Sequence, residues 1–136
     1  ANYAALACGS DFPTCQGEWW PENDFKEAFV LWRGIGVDYE GGVLDGAARV
    51  AIQLSHRIMA VLVFGHLLFV GIRMIMTHGL RYWGVVLTIL LFAQVALGIS
   101  NVVMNLPLWT AVAHNAGAAL LLFVVVGLLA RLRAPD

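Results

Sequence analysis

The chain has 136 residues, enough for one domain, and is 60% hydrophobic and only 12% charged, about half the charge of an ordinary soluble domain. A formal net charge of −1 hides a polarity: residues 1–47 carry eight acids against Lys26 and Arg33, whereas residues 48–136 carry six arginines against Asp136. Between Arg81 and Arg131 there is no Asp, Glu, Lys or Arg, which excludes a water-soluble domain and points to an integral membrane protein. Nucleic-acid binding is excluded too, because no basic patch exists outside the membrane flanks.

In chain order, Ala1 to Ala7 reads as the tail of a preceding segment, since no basic start leads into an apolar run. Residues 1–46 form an expected extracytoplasmic loop with a short amphipathic helix. Pro21-Glu22-Asn23-Asp24 opens that helix with acids in its first turn. Phe25, Phe29 and Trp32 recur at helical spacing, a stripe suited to lying on the bilayer or on the helix bundle. Gly34, Gly36, Gly41, Gly42 and Gly46 follow as an irregular loop. Interleaved with Asp38 and Glu40, they lack the spacing of a phosphate-cradling loop.

Residues 47–136 form the membrane region. A bilayer core of about 30 Å needs about 20 apolar residues of helix, and three stretches qualify, over about 47–76, 82–104 and 108–130. Asp45 or Gly46 suits the N-cap of the first. Thr77-His78-Gly79 ends it, with glycine after the last apolar turn. Asn105-Leu106-Pro107 separates the second from the third, because proline disfavours helix in the residue before it and suits a new start. Arg73, Arg81, Arg131 and Arg133 flank the ends expected to be cytoplasmic. Trp19, Trp20, Trp32 and Trp109 then fall near the outer interface, with Tyr82 and Trp83 near the inner one.

His56 and His114 are the informative pair. They lie on helices of the same direction, roughly 12–14 Å and 9 Å from the outer ends at 1.5 Å per residue. Two neutral imidazoles at similar depth suit the axial positions of one haem iron, and ionisable residues within spans are expensive and usually functional. Around His114 the same-face positions Ala111, Gly117 and Ala118, with Thr110 the bulkiest, would admit a flat ring. The same small residues could instead serve helix packing. Around His56 the neighbours are Ile52, Gln53, Met59 and Ala60. Arg57, and secondarily Arg49, could pair with a haem propionate or snorkel to the headgroups. His66, about 15 Å deeper, reads as a hydrogen-bonded interior histidine, and His78 as a solvated turn residue. Gln94, Ser100, Asn101 and Asn105 make the second span polar toward its outer end, facing either a haem edge or neighbouring helices.

Cys8 and Cys15 fall on the outer side, where disulfides persist, and a disulfide is the preferred reading over a redox-active thiol pair. Their spacing does not suit covalent haem attachment, which needs Cys-x-x-Cys-His.

These residues together resemble the haem A synthase family. The likeness lies in Cys8-x6-Cys15 with Phe12-Pro13, Gly17-x-Trp19-Trp20-Pro21, Tyr39-Glu40-Gly41-Gly42 and Gln53-x-x-His56-Arg57. It continues through Gln94-x-x-Leu97-Gly98-Ile99, Leu106-Pro107 and His114-Asn115-x-Gly117. The resemblance implies two similar four-helix halves, each with a haem-facing histidine pair, in an enzyme that oxidises a methyl group of haem O to a formyl group. It implies that a catalytic Glu stands three residues before the His-Arg pair in the substrate half. Here that position is Gln53, so the chain resembles the C-terminal, cofactor half, with haem b on His56 and His114 and with Gln53 and Arg57 beside it.

On that resemblance the fold expected is all-α, three transmembrane helices of a four-helix haem-binding half. The missing N-terminal half would carry the reaction, and this fragment alone would be inactive. Implied partners are haem O, membrane lipid, haem O synthase and terminal-oxidase assembly factors, at the bacterial inner membrane with the C-terminus cytoplasmic. Two other readings compete: a non-catalytic cytochrome b electron-transfer module, and a haem-free assembly subunit.

Overall fold

A computed structural model describes residues 6–30 and 46–132. The described chain is all-α, with α1 (Phe25–Ala28), α2 (Gly46–Ile75), α3 (Arg81–Val103) and α4 (Leu108–Leu132) in order. The three long helices have the length and hydropathy to cross a membrane, and only 11%, 17% and 6% of their most apolar windows is buried. Side chains such as Val61, Leu122 and Phe123 stand largely exposed. Apolar faces this wide need hydrocarbon rather than water around them.

Helix ends follow local chemistry. Gly79 takes φ +85° in the α2–α3 turn, the left-handed conformation that glycine adopts without steric cost. After α3, Asn105 and Leu106 both have positive φ, and the Leu106 amide donates to Asn101 O at 2.7 Å. Pro107 then starts α4, its carbonyl accepting from the Thr110 hydroxyl at 2.8 Å. Helix α1 is only four residues long, much shorter than the expected amphipathic stripe. Asp24 caps it by accepting from the Glu27 amide at 2.9 Å, and Phe29 already lies at its C-cap. Trp32, Arg33, the glycine-rich stretch with Tyr39-Glu40-Gly41-Gly42, Asp45, Arg133 and Asp136 lie outside the described residues.

The chain divides into two compact units, Ala1–Ala60 with Val102–Asn105, and Val61–Asn101 with Leu106–Asp136. In the first, Cys8 and Cys15 form a disulfide with Cα atoms 4.6 Å apart. Both are buried with Val50 and Leu54 of α2, and Ala7 and Phe25 pack on that cluster. The loop turns back at Gln16 and Gly17, both at positive φ, pairing Cys15 with Glu18 in two backbone hydrogen bonds of 2.9 and 3.1 Å. The Asp11 carboxylate accepts from the Thr14 hydroxyl at 3.0 Å and from the Gly17 amide at 2.7 Å. An Asp24 amide bond to Ala47 O at 3.1 Å ties the start of α1 to the first turn of α2.

The second unit is held mainly by apolar packing. Met74, Leu87, Leu91, Leu121 and Leu128 are its buried core, with Phe64, Leu80 and Trp83 against it. Helices α2 and α3 approach backbone to backbone: a Cβ on Gly84 would stand 2.7 Å from Ile75 N and 2.8 Å from Gly71 O. Small residues let membrane helices come this close, where packing rather than water drives association.

Candidate functional site

His56 lies ten residues beyond the first residue of α2 and His114 six beyond that of α4, roughly 15 Å and 9 Å along their helix axes. His56 is exposed and His114 half-buried. A ring presented on a helix surface can meet a ligand without displacing a packed neighbour.

His114 is seated by residues of α3. Its imidazole lies over Gly98: a Cβ there would be 3.0 Å from Cε1, 3.6 Å from Nδ1 and 3.7 Å from Nε2. Any larger residue at 98 would press the ring aside. Gln94, one turn earlier, donates from Nε2 to the His114 carbonyl at 2.8 Å. Its oxygen is buried without a hydrogen-bond partner among the described residues and fills the space where Gly117 lacks a side chain. Gly117 is therefore occupied by Gln94 and does not open the helix to a flat ring, as its sequence position had suggested. Thr110 is buried and its hydroxyl donates to Pro107 O at the start of its own helix, while Ala118 is exposed.

Arg57 has a role that sequence did not foresee. Its Nη1 donates to Pro13 O at 3.0 Å and Thr14 O at 2.9 Å, and its Nη2 to Asp11 O at 2.9 Å. The guanidinium also lies 5.7 Å from the centroid of the Phe12 ring. It thus clamps the disulfide loop onto α2 and satisfies carbonyls that a tight loop leaves bare. Three of its five N–H donors are used this way; Nε is buried without a hydrogen-bond partner among the described residues. An Nε–H with an adjacent Nη2 proton is the fork that accepts a carboxylate side-on. Gln53, one turn before Arg57, is buried.

The remaining polar residues separate into roles. His66 is exposed on α2, not the interior group expected, because the packed face of that helix segment is taken by Phe64, Leu67, Leu68 and Val70. His78 lies exposed in the α2–α3 turn, as anticipated. Arg49 is exposed and lines an open depression of the first unit with Leu6, Ala7, Gln16 and Gly46. Ser100 donates to Ala96 O of its own helix; Asn101 is buried with its side-chain oxygen Oδ1 unpartnered among the described residues. Among those residues no group of three or more His, Cys, Asp or Glu gathers to hold a metal ion. Axial ligation of a haem asks for two protein ligands at most.

The COX15-CtaA family, described as Cytochrome oxidase assembly protein, matches residues 1–126, a span that includes both cysteines, His56 and His114. The Heme A synthase of Shewanella oneidensis is 45% identical over 126 residues, covering 93% of this chain and 38% of that protein. The chain thus spans well under half the length of this relative. No solved structure matches.

Proposed function

The chain belongs to the Cytochrome oxidase assembly protein family, and from that premise we propose that it is the haem-b-binding C-terminal portion of a haem A synthase. The whole enzyme would oxidise a methyl substituent of haem O to the formyl group of haem A. The observation that carries this reading is the 45% identity to a Heme A synthase over 126 residues, a stretch long enough to hold every motif of the candidate site.

Within that reading His56 and His114 would hold the haem iron, and the haem would supply one-electron chemistry when bound. The residues suit the group. Imidazole is a standard axial donor, His56 stands on an exposed helix face, and His114 is held by Gly98 and Gln94. Gln94 fixes the main chain at His114 and Gly98 limits where the ring can rest, so α3 orients a ligand carried by α4. Arg57 keeps Nε–H for a propionate while its other donors hold the loop over the outer turns of α2. Gln53, a neutral amide within the unit, cannot supply the carboxylate that the resemblance links to catalysis in the substrate half. Chemistry on haem O therefore belongs to a partner half, with this portion passing electrons. Haem O synthase and terminal-oxidase assembly factors, at a bacterial inner membrane with the loop outside, are the partners and place this reading implies.

The test is optical and chemical. The parent protein, purified from membranes, should show a low-spin b-type spectrum that His56→Ala and His114→Ala each abolish, and its membranes should convert haem O to haem A. A spectrum that both alanine variants retain removes the ligand assignment. A parent that binds haem but never yields the formyl product leaves an electron-transfer cytochrome b.

A further inference from the structure

Among its described residues the second unit gathers cations at one end and holds no acid to neutralise them. Residues 46–132 contain no Asp or Glu, and Asp136 is the single acid beyond Asp45. Arg73 lies in the last turn of α2, Arg81 opens α3, and Arg131 lies in the last turn of α4. Contacts bring these ends together. Arg81 Nε donates to Ile75 O at 3.3 Å, the Arg131 guanidinium lies 5.4 Å from the centroid of the Trp83 ring, and Met74, Leu80, Trp83 and Leu128 share one cluster. Arg73 makes no side-chain hydrogen bond or ion pair among the described residues.

Helix dipoles do not account for the charge. Two C-termini and one N-terminus meet here, each worth about half an elementary charge, so their net is about half a negative charge against three positive ones. Among the described residues the surplus is left to solvent or to an external anion. Two exposures narrow its kind. Tyr82 is 71% exposed beside Trp83, the two rings meeting edge to face at 5.5 Å, and Met76 is 77% exposed. Aromatic rings with a polar tip favour the boundary between acyl chains and headgroups, which puts the arginines at phosphate level. A guanidinium over an indole face keeps its in-plane donors for the bidentate geometry that phosphate accepts.

We propose that this end of the second unit binds the phosphodiester headgroup of an anionic phospholipid through Arg73, Arg81 and Arg131, with Tyr82 and Trp83 bracketing the top of the acyl chains. The site is separate from the candidate haem ligands and stands whether or not they bind haem.

The full chain, purified in a neutral detergent, is titrated with phosphatidylglycerol, phosphatidylcholine or inorganic phosphate, and retained adducts are read by native mass spectrometry. Phosphatidylglycerol should bind at least about tenfold more tightly than phosphatidylcholine, and each arginine changed to glutamine should weaken it about fivefold. The combined R73Q, R81Q and R131Q variant should then lose about a hundredfold, whereas the matching triple lysine variant keeps most of the affinity. Arg73→Gln serves as the variant whose folding is safe, since that side chain has no intramolecular partner to lose among the described residues. Lys26→Gln, in the other unit, should change nothing. Equal retention of the two lipids, an unchanged R73Q, or equal losses in the glutamine and lysine triples would overturn the proposal. So would inorganic phosphate that binds alone with the same arginine dependence.

Discussion

The two units of this chain solve stability in opposite ways. The first sets a disulfide-closed loop over a small apolar cluster at the start of α2, and it is held largely by directional bonds. A disulfide, an aspartate that accepts from two donors, and an arginine that clamps three carbonyls close it on the start of α2. The second unit has no acid among its described residues and is held by shape, with glycine letting helix backbones touch. In the first a single side chain matters through its donors and acceptors; in the second it matters through its volume.

That contrast can be broken experimentally, beginning with volume. Gly84→Val adds atoms where even a Cβ would meet Ile75 N at 2.7 Å, and neither partner is a side chain that can swing away. A loss of about 3 kcal/mol or more is expected, read as a lower unfolding temperature with faster amide exchange in α2 and α3. The loop around Cys8 should stay protected; loss of protection there would show that the units do not respond separately.

The next effect acts on the other unit. Cys8→Ser with Cys15→Ser opens an eight-residue ring, whose closure is worth about 2–3 kcal/mol in the chain-entropy model. Exchange should rise across residues 6–24 and remain unchanged at Leu87 and Leu91, and the α2–α4 helical content should persist. Smaller again is Arg57→Lys. Lysine keeps the charge but cannot reach three carbonyls from a planar fork, so about 1–2 kcal/mol of loop protection should disappear. A lysine variant that protects Asp11 to Cys15 as well as arginine would mean charge alone, not fork geometry, holds the loop.

Much of this architecture was legible in residue order. The three long helices begin and end within one or two residues of the positions expected from apolar length, Gly79 and Asn105-Leu106-Pro107, because caps and breakers act through adjacent residues. Asp24 was legible as the opening of α1, but that helix is four residues long because short helices need tertiary support to propagate. The misread residues are those whose meaning depends on a distant neighbour. Gly117 looked like room for a ring and holds Gln94; His66 looked interior and is exposed; Gly98 carried no chemical signal until the His114 ring lay on it. The nearest sequence hint to the Arg57 clamp was the energetic cost of a guanidinium in a span.

Residue order by itself determined that the chain is helical, apolar enough to span a membrane, and nearly free of charge within its spans, because hydrophobic length and helix punctuation are local properties. The tertiary structure alone decided which donors meet which acceptors. Arg57 reaches carbonyls more than forty residues away, and Gln94 reaches a carbonyl twenty residues on. Hydrogen bonds and close packing depend on distances of a few tenths of an ångström, and residue order does not contain those until the helices have packed.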